Sequence, residues 1–332
     1  MKKRVLAAFL SMAMVAGLAT GCGTPGGGKS DSDSADGKVF RYAVNTLPTT
    51  LDPTKGQSIG DNEIQHAVTE GLTRNTAGDV KPGIAESWDE SEDGLTYTFH
   101  LRKDAKWSDG EPITAADFEY SWKRLVNPET ASPYAFIGDC LKNGQAIEQG
   151  NMDVEELGVK AVDDTTLEVT LEHPTSYFLS LIGSSGQFAP LRQDIVEKYG
   201  TDFAATSEKN VYSGPFVMTS SEDNVWTFEK NDNYWDKDSI NLDKCELNYV
   251  ENTDTQLSMY EAGDLDYVQV PTAYVSDYKD KAEVFANGNV DFCYINSKSD
   301  NPVLGNKNFR LALNYALNRN DYNMLANADT YT

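Results

Sequence analysis

The strongest constraint on the fold is the nonapeptide GLTYTFHLR, residues 94–102, where Leu95, Tyr97, Phe99 and Leu101 alternate with Thr96, Thr98, His100 and Arg102. A period of two puts the apolar set on one face and the polar set on the other, which predicts a half-buried β-strand. The turn residues SEDG precede it and AESWD lies before them, so the two arms predict a hairpin. The same logic returns in VDDTTLEVTLEHP (162–174) and in SGPFVMTSSEDNVWTFEK (213–230), a second hairpin turning at SEDN. KVFRYAVN (38–45) reads as a further strand, and NVDFCYIN (289–296) as another.

Helical signals alternate with these strands. Thr114 and Asp117 have the capping-box spacing, and Phe118, Trp122 and Leu125 follow at helical intervals. After the Pro- and Gly-broken loop TLPTTLDPTKGQSIG (46–60), Asp61 is expected to cap a short helix carrying Ile64, Ala67 and Val68. HPTSYFLSLI and LRQDIVEKYG suggest short helices, and TDTQLSMYEAGD one that stops near Gly263. NKNFRLALNYALNRNDY is expected to be a helix burying Phe309, Leu313, Ala316 and Leu317. Strands joined partly by tight turns and partly by helices imply mixed sheets, an α/β class and more than one lobe. The residues beyond Lys38 suffice for two domains of about 150 residues each.

The N-terminus is built for export. Lys2, Lys3 and Arg4 precede the uncharged run Val5 to Ala19, and small residues follow at Thr20 and Gly21, the three parts of a signal peptide over residues 1–21. The run falls short of the roughly 20 apolar residues that span a bilayer. Residues 22–37 are rich in Gly, Ser and Asp without an apolar anchor, and read as a flexible stalk.

The formal net charge of -24 excludes nucleic acid as a partner and repels anionic membrane. Cys140, Cys245 and Cys293 are widely separated with no CxxC spacing, so they are expected to be small buried hydrophobes, with no disulfide framework and no metal site. HExxH is absent, the letters of GxGxxG (21–26) and of the P-loop (23–30) occur only in the Gly-rich stretch read as a stalk, and no cofactor is expected. GQSIG (56–60) matches the nucleophile-elbow pattern with Ser58 in the reactive place and His66, His100 and His173 as conceivable partners. The elbow needs a buried strand immediately before it, and Pro53 interrupts that stretch. DSDSADG (31–37) imitates a calcium loop, but its acidic spacing is displaced and Tyr42 stands where the bidentate Glu belongs. An exported, multi-lobed globule without a catalytic constellation reads as a binder.

Residues 85–135, AESWDESEDGLTYTFHLRKDAKWSDGEPITAADFEYSWKRLVNPETASPYA, resemble the signature block of the peptide-binding lipoproteins of ABC importers, the oligopeptide and dipeptide solute-binding proteins. LDP (51–53), GLTR (71–74), ELGVKAVDDTTLEVTLEHPTSYFLSLI (156–182), SGPF (213–216), NDNYWD (231–236) and FRLALNYALNR (309–319) follow in that family's order and spacing. Within the block Trp88, Trp107 and Trp122 are expected in the core, with a turn at Asp109-Gly110.

The resemblance implies a multi-lobed, periplasmic-binding-protein-like fold of the type II, peptide-binding class. A first lobe would comprise residues 38–70 and 193–295, an inserted second domain 71–192, and a third lobe would begin at 296, with 296–332 only its start. It implies ligand contact from the loop after LDP, here Gln57, Ser58 and Ile59, and from Tyr134, with Tyr294 and Asn296 as further candidates. It implies acylation of Cys22, since small residues directly before a lone Cys resemble a lipobox, although Leu18 stands one position farther from the Cys than the family prefers. It also implies a monomer that takes oligopeptides between hinged lobes and hands them to the importer's permease on the outer side of the cell membrane. A signalling-peptide receptor of the same fold is an alternative, and a serine hydrolase using Ser58 a minor one.

Overall fold

The structure, a computed structural model, describes residues 37–76, 78–284 and 292–327. The signal segment, Cys22 and nearly all of the stalk lie outside the described residues. Along the chain run β1 (Val39–Val44), α1 (Ile59–Val68), β2 (Thr73–Thr76), β3 (Asp79–Pro82), β4 (Ala85–Glu90), β5 (Thr96–Leu101), α2 (Ala115–Val126), α3 (Gly144–Glu148), β6 (Val159–Asp163) and β7 (Thr166–Thr170). There follow α4 (Phe178–Ser184), α5 (Gln193–Tyr199), β8 (Phe216–Glu222), β9 (Val225–Lys230), β10 (Lys244–Tyr249), α6 (Thr253–Ala262), α7 (Val275–Tyr278), α8 (Pro302–Gly305), α9 (Lys307–Ala316) and α10 (Arg319–Asn327).

Two four-stranded sheets organise these elements. In the order β4-β5-β7-β6 every neighbouring pair is antiparallel, and β5 buries Tyr97, Phe99 and Leu101 while Thr96, Thr98 and His100 stay half-exposed. The alternation read from the sequence is therefore the pleat itself. Helix α2 buries Phe118, Trp122 and Leu125, and the Trp122 ring meets Phe178 and Phe188 edge-on. Thr114 and Asp117 form the reciprocal capping box at its start, a motif in which the cap alone is worth about 0.5–2 kcal/mol.

The second sheet has the order β1-β10-β9-β8, with β1 parallel to β10 and the other pairs antiparallel, so it is mixed as expected. The β8–β9 turn places Asp223 and Asn224 at φ 52 and 65, the left-handed pair that a two-residue hairpin needs to match strand twist. Parallel pairing of β1 with a strand some two hundred residues later requires a long crossover, and the first sheet lies within it.

Buried apolar side chains divide accordingly. One cluster draws only on Leu72 to Phe188, and the other on Val44 to Val68 together with Leu191 to Leu247. Each sheet thus has its own core.

Several expectations are corrected. The cap of α1 is Ser58 rather than Asp61, because the chain turns helical three residues earlier and Asp61 supplies the reciprocal carboxylate of the box. Of the stretch 289–296 read as a strand, 289–291 lie outside the described residues and 292–296 form no strand: Phe292 is 79% and Tyr294 88% exposed, and alternation without a partner strand makes no ladder. Helix α9 forms but buries nothing, with Leu311 and Leu313 more than 40% exposed and Leu317 its C-cap beyond the last turn. Cys245 is buried, Cys140 partly so, and Cys293 is exposed in the irregular segment. Trp107 and Trp122 are core residues, whereas Trp88 is only packed against the rim of the core. The β2–β3 hairpin, in the polar stretch TRNTAGDVKP, carries no apolar alternation by which it could have been read.

Candidate functional site

The loop between β1 and α1 is organised by two buried carboxylates. Asp61 accepts the backbone N–H groups of Thr49 at 2.6 Å, Thr50 at 3.1 Å, Gln57 at 3.1 Å and Ser58 at 3.0 Å, while its own N–H donates to Ser58 Oγ at 2.9 Å. Burial pushes its carboxyl up, but the backbone donors of Thr49, Ser58 and Gln57 outweigh it and hold the pKa below the ordinary value. One carboxylate so gathers both ends of the loop.

Asp52 fixes the middle. It accepts Thr54 N and Oγ1, and Arg124 of α2 grips it with two bonds, Nη1–Oδ1 at 2.9 Å and Nη2–Oδ2 at 2.6 Å. Arg124 also donates to Thr54 Oγ1. Ser132 Oγ donates to the Thr54 carbonyl at 2.6 Å, and Gln187 Nε2 to the Gly56 carbonyl at 3.0 Å. These three donors come from the segment that builds the other core, so the loop is held from both sides.

Gln57 is exposed, Ser58 half-buried, and Ile59, in the first turn of α1, 60% exposed. The N–H groups of Gln57 and Ser58 are committed to Asp61. The loop therefore offers outward the Gln57 and Ile59 side chains. Tyr134 is half-buried, opens the 3-10 turn Ala135–Cys140, and stacks on Phe136 with ring centroids 5.5 Å apart. Ser132 and Thr54 bring its segment to the loop.

Among the described residues no hydrogen bond joins Tyr294 or Asn296 to this cluster: both are exposed, and the Asn296 side chain accepts from nearby Lys298 N. Sequence reasoning missed Asp52, Arg124 and Ser132, and took Asp61 for a helix cap alone. Asp52 and Ser132 stand inside LDP and ETASPYA, so the signal available was their place in those motifs.

A cavity of about 570 Å³ is lined by Thr50, Asp52 and Lys55 of the loop, by Arg124 of α2, and by Ser220 of β8 and Trp226 of β9. Its walls do not include Gln57, Ser58, Ile59 or Tyr134. Among the described residues no three His, Cys, Asp or Glu side chains are gathered to hold a metal ion.

The elbow pattern GQSIG has a structural account. Ser58 Oγ is the helix cap, and a Cβ at Gly60 would lie 2.4 Å from the Thr46 carbonyl oxygen, so this glycine lets the loop cross the helix start. His100 pairs with Asp89 at 2.9 Å on an exposed sheet face, far along the chain from the loop.

The sequence from 79 to 331 matches the family described as bacterial extracellular solute-binding proteins, family 5, middle. The chain belongs to this family. It is 35% identical over 306 residues to a dipeptide-binding protein of Lactococcus lactis subsp. cremoris, covering 87% of this chain and 55% of that protein. It is 33% identical over 328 residues to the oligopeptide-binding protein OppA of Bacillus subtilis, covering 96% and 60% respectively. Among solved structures it resembles Listeria monocytogenes OppA bound to peptide, with TM-score 0.70, 36% identity and 74% of this chain matched to 49% of that one. It also resembles the pheromone receptor PrgZ, with TM-score 0.77, 32% identity and coverage of 87% and 58%. The chain therefore spans about half the length of the relatives it matches. The architecture is that of the periplasmic binding proteins, and the family is one of solute-binding proteins rather than enzymes, which removes the serine hydrolase reading.

Proposed function

We propose that the chain is the substrate-binding component of an ABC importer, capturing short peptides outside the cell and delivering them to the permease. The loop Gln57–Ile59 and Tyr134 would face the ligand, with Tyr294 and Asn296 as further contacts. Membership of a solute-binding family and the names of the peptide-binding relatives support the ligand class. The observation that carries the site is the joint anchoring of the loop and the Tyr134 segment through Arg124, Asp52, Thr54 and Ser132, which preorganises two separate stretches of chain as one surface. Main-chain hydrogen bonding to an extended peptide supplies affinity without regard to its sequence.

In this reading the core built from residues 44–68 and 191–247 belongs to a first lobe comprising 38–70 and 193–295, the core from 72–188 to an inserted domain at 71–192, and a third lobe begins at 296. Signal cleavage before Cys22 and acylation of that cysteine would hold a monomer on the outer membrane face by the stalk. Replacing Cys22 by Ala should release the protein into the medium and abolish labelling by palmitate; a variant still membrane-bound and still labelled would remove the anchor. The same surface would serve a receptor for signalling peptides, a reading favoured by the likeness to the pheromone receptor.

The deciding experiment is thermal unfolding of the full chain with and without excess short peptides. A ligand at a hundredfold its dissociation constant stabilises by about 2.7 kcal/mol. An upward shift supports the reading, and a cooperative transition indifferent to every peptide refutes it.

A further inference from the structure

The 3-10 turn Ala135–Cys140 is pressed onto α2. Ala135 and Gly138 are buried, Ile137 packs against the core, and a Cβ on Gly138 would stand 2.4 Å from Val126 Cγ1. Phe136 is left 55% exposed, its ring at 5.5 Å and 30° to that of Tyr134. Neighbours held this closely on both sides fix where Phe136 stands, so its exposure is built into a fastened turn rather than the result of a loose one. Two residues before Tyr134, Ser132 ties the segment to the carbonyl of Thr54 in the ligand loop.

We propose that Phe136 is a specificity residue, forming with Tyr134 an aromatic platform that receives an apolar side chain of the bound peptide, aromatic by preference. The inference rests on the reading that Tyr134 and the Gln57–Ile59 loop face a peptide. Contacts to the peptide main chain are indifferent to sequence, so selectivity must come from side-chain surfaces of this kind. A stacked pair with an open outer face gains by covering it, and an incoming ring does so in the offset geometry that aromatic groups favour.

The test is calorimetric titration of the full chain with tetra-alanine and with its four variants carrying one phenylalanine. At least one variant should bind about three- to tenfold tighter than tetra-alanine, the range expected of one added aromatic pair. In F136A that ratio should collapse toward one, with the melting temperature little changed because the side chain is mostly solvated. Phe136→Leu should keep part of the preference. Equal affinity of the wild-type chain for all five peptides, or a preference that survives in F136A, overturns the role of Phe136 while leaving peptide binding intact. Failure of all five to bind overturns the proposal, and removes the underlying reading as well where no other short peptide raises the melting temperature.

Discussion

Arg124 and Asp52 meet through two hydrogen bonds, the shorter 2.6 Å, with side chains only 14% and 5% exposed. Arg124 stands on the helix covering one sheet, and Asp52 in the loop leading from the other. The pair therefore joins the packing of one core to the conformation of a loop belonging to the other.

Removing the cation alone should be costly. Arg124→Met leaves the Asp52 carboxylate buried and uncompensated, and a loss of about 3–5 kcal/mol is expected from urea unfolding. The double variant D52N/R124M should recover much of it, because the buried charge is gone. A single-variant loss below about 1 kcal/mol, as for an exposed ion pair, would show that the bridge does not hold the loop.

Asp61 should leave a signature in acid. Its folded-state pKa is depressed from 3.8, so its contribution is present above that value and is lost as pH falls through the lower folded one. Buried Glu70 acts in the opposite sense, since desolvation raises its pKa despite Arg74, and its contribution fades as pH rises. The Asp61 share must therefore be read as a difference. In D61N the stability lost on going from neutral pH to below about 4 should be smaller than in the parent chain, by unfolding at fixed temperature. Identical pH profiles would mean that its backbone donors do not depend on its charge.

The contrast between these residues shows what was legible in the chain. Strand β5 and helix α2 could be read directly because one face of each is buried within a few residues of sequence, and periodicity records that. The anchoring of the loop could not. Arg124 and Asp52 are 72 residues apart, and nothing in an isolated LDP or SWKRL says that they meet. Asp61 was read as a cap because its neighbours are helical, but its several backbone donors come from Thr49 to Ser58 and become visible only when the loop is closed. Strand and burial signals at 292–296 and 309–317 failed for one reason: apolar periodicity marks a face able to be buried, and among the described residues nothing covers these faces.

Within GQSIG, the Ser58 cap and Gly60 should also be needed for stability. Ser58→Ala removes the acceptor for Asp61 N and should cost about 0.5–2 kcal/mol as a lost cap. Gly60→Ala should cost about 1–3 kcal/mol as overpacking, because the new Cβ meets the backbone of Thr46 and Pro48, which cannot swing away. Both are read from denaturant midpoints. A Gly60→Ala midpoint equal to the parent's would mean that the loop does not lie against the helix.

The cysteines give a check that needs no ligand. Burial pushes the thiols of Cys140 and Cys245 up to about 11, so both are protonated at neutral pH as well as shielded. Cys293 is exposed and so open to reagent. In a C22A background a thiol-specific disulfide reagent at pH 8 should label one cysteine rapidly, and the other two only at the rate of unfolding. C293S should abolish the fast phase without altering the slow one. Rapid labelling of a second cysteine in the folded chain would mean that one of the cores opens far more readily than its packing implies, since Cys245 lies beside Leu247 in one and Cys140 packs against the other. Mapping the modified residue would then say which sheet has come apart.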